Sequence, residues 1–132
     1  MSRIFLIDDV KMCRLPAKYA LIGAGHDVQE PEPTCVFDLM CALRRDRPDL
    51  VITDLEMPGC SGLSLIRMIR EDPVLKTTPI LVVSVHREDT TLAGLSELDI
   101  QGFLIKPVEV RRLVQESLAI LEWEEMSRVA PV

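Results

Sequence analysis

The sequence predicts an α/β fold, a five-stranded parallel sheet covered on both faces by five helices, and three observations carry that prediction. Four short runs, "IFLI", "LVIT", "ILVVS" and "GFLI", are almost continuously apolar, as strands buried on both faces are. Between them apolar residues return at helical spacing. Each run also stops on a polar or charged residue: Asp8 and Asp9, Asp54, Ser84, and Lys106. Parallel neighbours need crossovers, and helical crossovers produce three α/β/α layers.

Taken in order, Ile4 to Ile7 is the first strand and runs directly into Asp8 and Asp9. Met12, Leu15, Tyr19 and Ile22 then mark a helix that stops at glycine, and Pro16 fits it if the helix begins near Cys13, because first-turn amides have no intrahelical acceptor. "HDVQEPEP" is a weak strand whose Pro31 and Pro33 suit a sheet edge or a strand end. Val36, Leu39, Met40 and Leu43 define a second helix that stops at Pro48. The run Leu50 to Thr53 leads into Asp54, and Met57, Pro58 and Gly59 break the chain after it. Leu63, Ile66 and Ile69 give a short helix, and the strand that follows ends at Ser84. Leu92, Leu95 and Leu98 outline a fourth helix, "GFLI" a fifth strand, and Val110, Leu113, Val114, Leu118 and Leu121 a long final helix.

The 132 residues fit one domain, and 48% hydrophobic content is ample for a core. A net charge of -6 disfavours non-specific attraction to nucleic acid or anionic membrane. No apolar stretch approaches the ~20 residues that span a bilayer, and the N-terminus has no signal-peptide pattern. The expectation is a cytoplasmic protein whose partners are proteins or small molecules. Cys13, Cys35, Cys41 and Cys60 form no C-x-x-C pair, and His26 lies far from His86. Zinc is disfavoured, and the thiols read as small side chains in a reducing compartment.

In open parallel sheets, ligands bind outside the carboxyl ends of the strands, where these polar residues converge. Three carboxylates make a hard-oxygen site suited to magnesium, which would offset the repulsion between Asp8 and Asp9. With the ion held there, Asp54 on a neighbouring strand is placed to attack phosphorus, Lys106 to pair with one phosphoryl oxygen and Ser84 to donate to another. Taken singly, Asp9 before a helix is more often an N-cap, Ser84 a strand-end hydroxyl and Lys106 a surface charge. Their joint placement at strand ends is what points to an aspartyl-phosphate site.

From about Arg3 to Leu121 the sequence resembles the receiver domain of two-component response regulators. "FLIDD", "PDLVITDLEMPG", "PILVVSV" and "GFLIKP" carry the resemblance, in that order and spacing. It implies a flavodoxin-like sheet of strand order 2-1-3-4-5 and a phosphoryl group passed to Asp54 from a histidine kinase or histidine phosphotransfer protein. It further implies magnesium bound by Asp9 directly, by Asp8 mainly through water, by Asp54, and by the backbone carbonyl of Glu56. Ser84 takes the place of the family's hydroxyl residue, Phe103 its aromatic switch and Lys106 its charge sensor. The Lys106-Pro107 bond would be cis, a geometry that only X-Pro bonds adopt cheaply. The altered output surface would be helix four, strand five and helix five, with a phosphorylation-dependent dimer among its uses.

Several positions depart from the family pattern or tune it. Val85 stands where relatives mostly have a small residue, which predicts slowed phosphoryl turnover, and Pro31 stands where a small residue is common. Glu56 and His86 occupy positions that tune dephosphorylation in relatives. Residues 1–121 are read as the receiver and 122–132 as a short extension with no effector domain, so output passes through an unidentified downstream protein or a phosphorelay. The receiver is expected to promote only its own phosphorylation and dephosphorylation, without being an enzyme otherwise. Two other functions compete. One is a receiver-like interaction module that is never phosphorylated. The other is a haloacid-dehalogenase-type phosphatase, which needs an acid two residues after its nucleophile. Val10 follows Asp8, and although Glu56 follows Asp54, the rest of that pattern is missing.

Overall fold

The computed structural model describes residues 2–32, 34–85 and 89–129. Pro33 and His86 lie outside them. The main sheet consists of β1 (Arg3–Ile7), β2 (Asp27–Gln29), β3 (Leu50–Thr53), β4 (Ile80–Ser84) and β5 (Gly102–Ile105). All neighbours are parallel and the order is β2-β1-β3-β4-β5. The helices are α1 (Lys11–Gly23), α2 (Val36–Asp46), α3 (Gly62–Glu71), α4 (Asp89–Ser96) and α5 (Val110–Val129).

Strand side chains alternate between two cores because successive residues face opposite sides of a pleated strand. Phe5, Ile7, Val51 and Val82 pack with Leu39 and Leu43 of α2 and Leu65 and Ile69 of α3. Ile4, Leu6, Ile52 and Leu81 pack on the other face with Ala17 and Leu21 of α1 and Leu113 and Ile120 of α5. The short β2 occupies an edge and ends before Pro31, so the missing proline donor costs no ladder bond.

Three local outcomes differ from the sequence expectation. α1 starts at Lys11, not Cys13, since the amides of Cys13 and Arg14 both reach Val10 O at 3.0 Å. Pro16 therefore lies inside the helix. Pro16 and Met12, the residue four before it, are both exposed, so the bond the proline cannot donate is lost on the solvent side of the helix. After Asp54 the break is a small antiparallel ribbon, Glu56–Met57 with Cys60–Ser61, closed by Pro58 and a left-handed Gly59 at φ 73°. α5 continues without interruption past Leu121 to Val129, so Trp123 is helical.

Away from the strand ends that carry the carboxylates, Arg70 in the last turn of α3 ties three segments together. Its guanidinium donates to the carbonyls of Lys76 (3.0 Å) and Thr78 (2.8 Å) before β4, and of Leu98 (2.7 Å) and Asp99 (2.9 Å) after α4. It also donates to Gln101 Oε1 (3.2 Å), which accepts from the Ile80 amide as well. A planar five-donor fork is the group that can do this.

Candidate functional site

The register aligns Ile7 of β1 with Thr53 of β3, and Ser84 of β4 with Ile105 of β5. The residues just beyond these positions therefore meet at one edge. Oxygen atoms of Asp8, Asp9 and Asp54 all lie within 4.8 Å of one another. Asp8 and Asp54 are buried and Asp9 is exposed.

Each carboxylate is held by different means. Asp8 Oδ1 accepts from the Val10 amide (2.9 Å), and the Asp8 carbonyl accepts from Arg14 (2.8 Å). Asp54 Oδ1 accepts from the amides of Leu55 (2.6 Å) and Glu56 (3.3 Å), which fixes the carboxylate against its own turn. Asp9 does not cap α1. Val10 is the N-cap and makes no side-chain cap bond, so the capping role weighed for Asp9 is not what places it there.

Lys106 completes the cluster from β5. Its Nζ donates to Asp54 Oδ2 at 2.8 Å and to Asp8 Oδ2 at 2.9 Å. Burial alone would lower the ammonium pKa, but hydrogen bonds to Asp54 and Asp8 outweigh it and leave the group pushed up to about 12. The Lys106 amide bonds the Ser84 carbonyl (2.9 Å), and the Lys106-Pro107 peptide is cis.

The other expected residues surround this centre. Ser84 is fully buried at the end of β4, while the adjoining Val85 is 62% exposed. Phe103 is half-buried against the core shared with α2 and α3. Glu56 opens the ribbon two residues after Asp54 and is exposed. His86 lies outside the described residues.

Sequence reasoning missed Gly62. A Cβ at this position would sit 2.1 Å from the Asp54 carbonyl and 2.7 Å from Leu55 Cα, so α3 starts with its backbone against the Asp54 turn. The Gly62 amide bonds Leu55 O at 2.9 Å. Only the pairing of a helix-initial glycine with the preceding ribbon could have signalled this, and no local rule links them to Asp54.

A cavity of about 510 Å³ opens onto Asp8, Asp54 and Lys106 and continues inward between Ala17, Ile52, Val83 and Leu113. The part at Asp8, Asp54 and Lys106 is polar and the inner part apolar. Three oxygen donors of one charge suit a small hard cation, and the Lys106 ammonium that bridges two of them offsets only one of the three negative charges. The donor set fits magnesium. All four cysteines are free, and burial pushes the Cys60 thiol pKa up, which disfavours its thiolate.

Comparison with known proteins agrees with this geometry. The profile of the response regulator receiver domain matches residues 4–117. The protein PilH of Pseudomonas aeruginosa is 28% identical over 123 residues, covering 92% of this chain and 98% of its own. The phosphate regulon transcriptional regulatory protein PhoB of the same organism is 31% identical over 119 residues, and the match spans 51% of its length. Among solved structures, the chemotaxis response regulator CheY4 of Vibrio cholerae superposes with a TM-score of 0.81 at 22% identity, covering 91% of this chain and 98% of that one. Among the described residues, no helix is long and apolar enough to cross a membrane.

Proposed function

The chain belongs to the response regulator receiver family, a phosphoacceptor module of two-component signalling, and from that premise we propose that Asp54 is its phosphorylated residue. The observation that supports this most is the division of labour on the Asp54 carboxylate. Oδ1 is tied to two backbone amides, whereas Oδ2 accepts from Lys106, and Asp54 lines the cavity. Attack would come from Oδ2. A new P–O bond forms as the P–N bond of a phosphohistidine on a kinase or phosphotransfer protein breaks, and the histidine nitrogen keeps the bonding pair.

Asp8, Asp9, Asp54 and the Glu56 carbonyl would hold magnesium, which when bound neutralises charge on the incoming phosphoryl oxygens. Lys106 then shifts its hydrogen bond from Asp54 to a phosphoryl oxygen, and Ser84 donates to another. Drawing Ser84 toward the site vacates space beside β5, into which Phe103 turns, altering α4, β5 and α5. Val85 at the cavity mouth obstructs water and slows loss of the phosphoryl group, with Glu56 tuning that turnover and His86, outside the described residues, given the same role by its position in the sequence. Residues 1–121 form the receiver on this view, output reaches a downstream protein, and a phosphorylation-dependent dimer through α4, β5 and α5 is one form it takes.

The test is incubation with magnesium and a small acyl phosphate, then with a cognate kinase, followed by intact mass. One added phosphoryl group that Asp54→Asn abolishes is expected. No adduct from either donor would overturn the proposal in favour of an unphosphorylated interaction module.

A further inference from the structure

We propose that Cys35 and Cys60 form a redox site, at which hydrogen peroxide joins them in a reversible disulfide that ties the start of α2 to the ribbon after Asp54. The backbone brings the two residues together. Gly59 turns the ribbon in the left-handed region, and a Cβ there would lie 3.3 Å from the Thr34 carbonyl oxygen. Cys60 and Cys35 are the residues that follow these two. Cys60 is 5% exposed in the core shared with α2 and α3, and Val36, next to Cys35, packs against that same core. Burial and, after it, the neighbouring Cys35 sulfur push the Cys60 thiol pKa up, so the two sulfurs lie within reach of each other's charge.

Capping does not account for a cysteine at position 35. Cys35 is the N-cap of α2, and its sulfur accepts the Asp38 amide at 3.4 Å, where an oxygen of Ser, Thr, Asp or Asn is the better acceptor. The other two cysteines are excluded by the fold. Cys41 is six residues further along α2, about 9 Å of helix, which exceeds the ~7 Å that a disulfide allows between Cα atoms. Cys13 is on α1, which covers the opposite face of the sheet.

The half-buried Cys35 meets the oxidant first, and the buried Cys60 resolves. The Cys35 sulfur, giving up its proton, attacks a peroxide oxygen. An S–O bond forms, the O–O bond breaks, and the departing hydroxide carries that proton away as water. The Cys60 sulfur then attacks Cys35 Sγ. The S–S bond forms, the S–O bond breaks, and the hydroxide leaves as water with the Cys60 proton. Two thiols are thereby oxidised by two electrons, and the peroxide is reduced to two waters. The closed loop contains α2, β3 and Asp54, so the bond restrains the unfolded chain around the acceptor residue. A thiol reductant reverses it by exchange. None of these steps depends on phosphorylation of Asp54.

The experiment treats the full chain carrying Cys13→Ser and Cys41→Ser, both at exposed positions, with a stoichiometric amount of hydrogen peroxide. Intact mass and non-reducing peptide mapping follow. Expected are a loss of two hydrogens, one peptide that joins Cys35 to Cys60, and a melting temperature raised by about 5 °C or more. Dithiothreitol should return both thiols. Cys35→Ser in the same background keeps an α2 cap and should lose both the bond and the rise in melting temperature, as should Cys60→Ala. Two free thiols after peroxide, oxygen added at Cys35 without the bond, a bond only between two copies, or one that forms only in urea would each overturn the proposal.

Discussion

Lys106 Nζ lies 2.8 Å from Asp54 Oδ2, a contact between residues 52 positions apart that joins the ends of β3 and β5 through the site itself. The same ammonium also holds Asp8. In Lys106→Met the two buried carboxylates face each other without a cation. We expect a loss of about 1–3 kcal/mol in metal-free buffer, since breaking a partly buried ion pair strands its charges. Magnesium should restore most of it, and should also stabilise the wild type by about 1.4 kcal/mol at ten times its dissociation constant. Thermal melts with chelator and with magnesium check both, and an unchanged wild-type melting temperature at saturating magnesium would refute the metal assignment.

Val85 is exposed at the cavity mouth and contributes little packing. Val85→Ala should leave stability within about 0.5 kcal/mol of wild type. Decay of the phosphorylated form, followed by loss of the mass adduct, should speed up several-fold. Unchanged decay would show that Val85 does not screen the phosphoryl group.

At Gly62 there is no room for a methyl group beside Asp54 O. Gly62→Ala must push α3 away from the Asp54 turn, at a cost of about 1–3 kcal/mol for overpacking. Phosphorylation should slow more than the fractional loss of folded protein explains, because the two amides that hold Asp54 Oδ1 move with the turn. A variant that is destabilised but phosphorylates at the wild-type rate would separate packing from positioning.

Arg70→Ala removes the five hydrogen bonds that the guanidinium makes among the described residues and leaves partly buried carbonyls without these donors. A loss of about 2–4 kcal/mol in urea unfolding is expected. Arg70→Lys should recover little, since a single ammonium cannot span the same acceptors.

The pH dependence has two limbs with opposite signs. The hydrogen bond from Arg44 (2.6 Å), aided by the amides of Val74 and Leu75, holds the Asp72 carboxyl below its ordinary range. Its contribution is present above pH ~4 and is lost as pH falls through the lowered value. Lys106 behaves oppositely: its contribution in metal-free buffer is complete below pH 10.5 and lost as pH rises through about 12. Asp72→Asn should flatten the acid limb of a stability profile, and Lys106→Met the alkaline limb.

The strands were legible because buried parallel strands need uninterrupted apolar runs, and the site because polar residues ended those runs. Asp8, Asp9, Asp54 and Lys106 came together as their positions required. The start of α1 was not legible, because Val10 has none of the chemistry of a usual N-cap. Neither were Gly62 and Arg70, whose importance comes from segments that approach only in the folded chain. For α5, periodicity marked Leu113 and Leu121, but the fully buried Ser117 hides in a polar residue whose hydroxyl bonds Leu113 O at 2.7 Å.

Arg70 also dictates how the molecule can move. Its acceptors at Leu98 and Asp99 fasten the exit of α4 to the end of α3, at the far end of the sheet from Ser84. A short helix clamped at one end cannot slide along its axis. On the proposed reading, a pull exerted near Ser84 would swing α4 about its fastening at Leu98 rather than slide it.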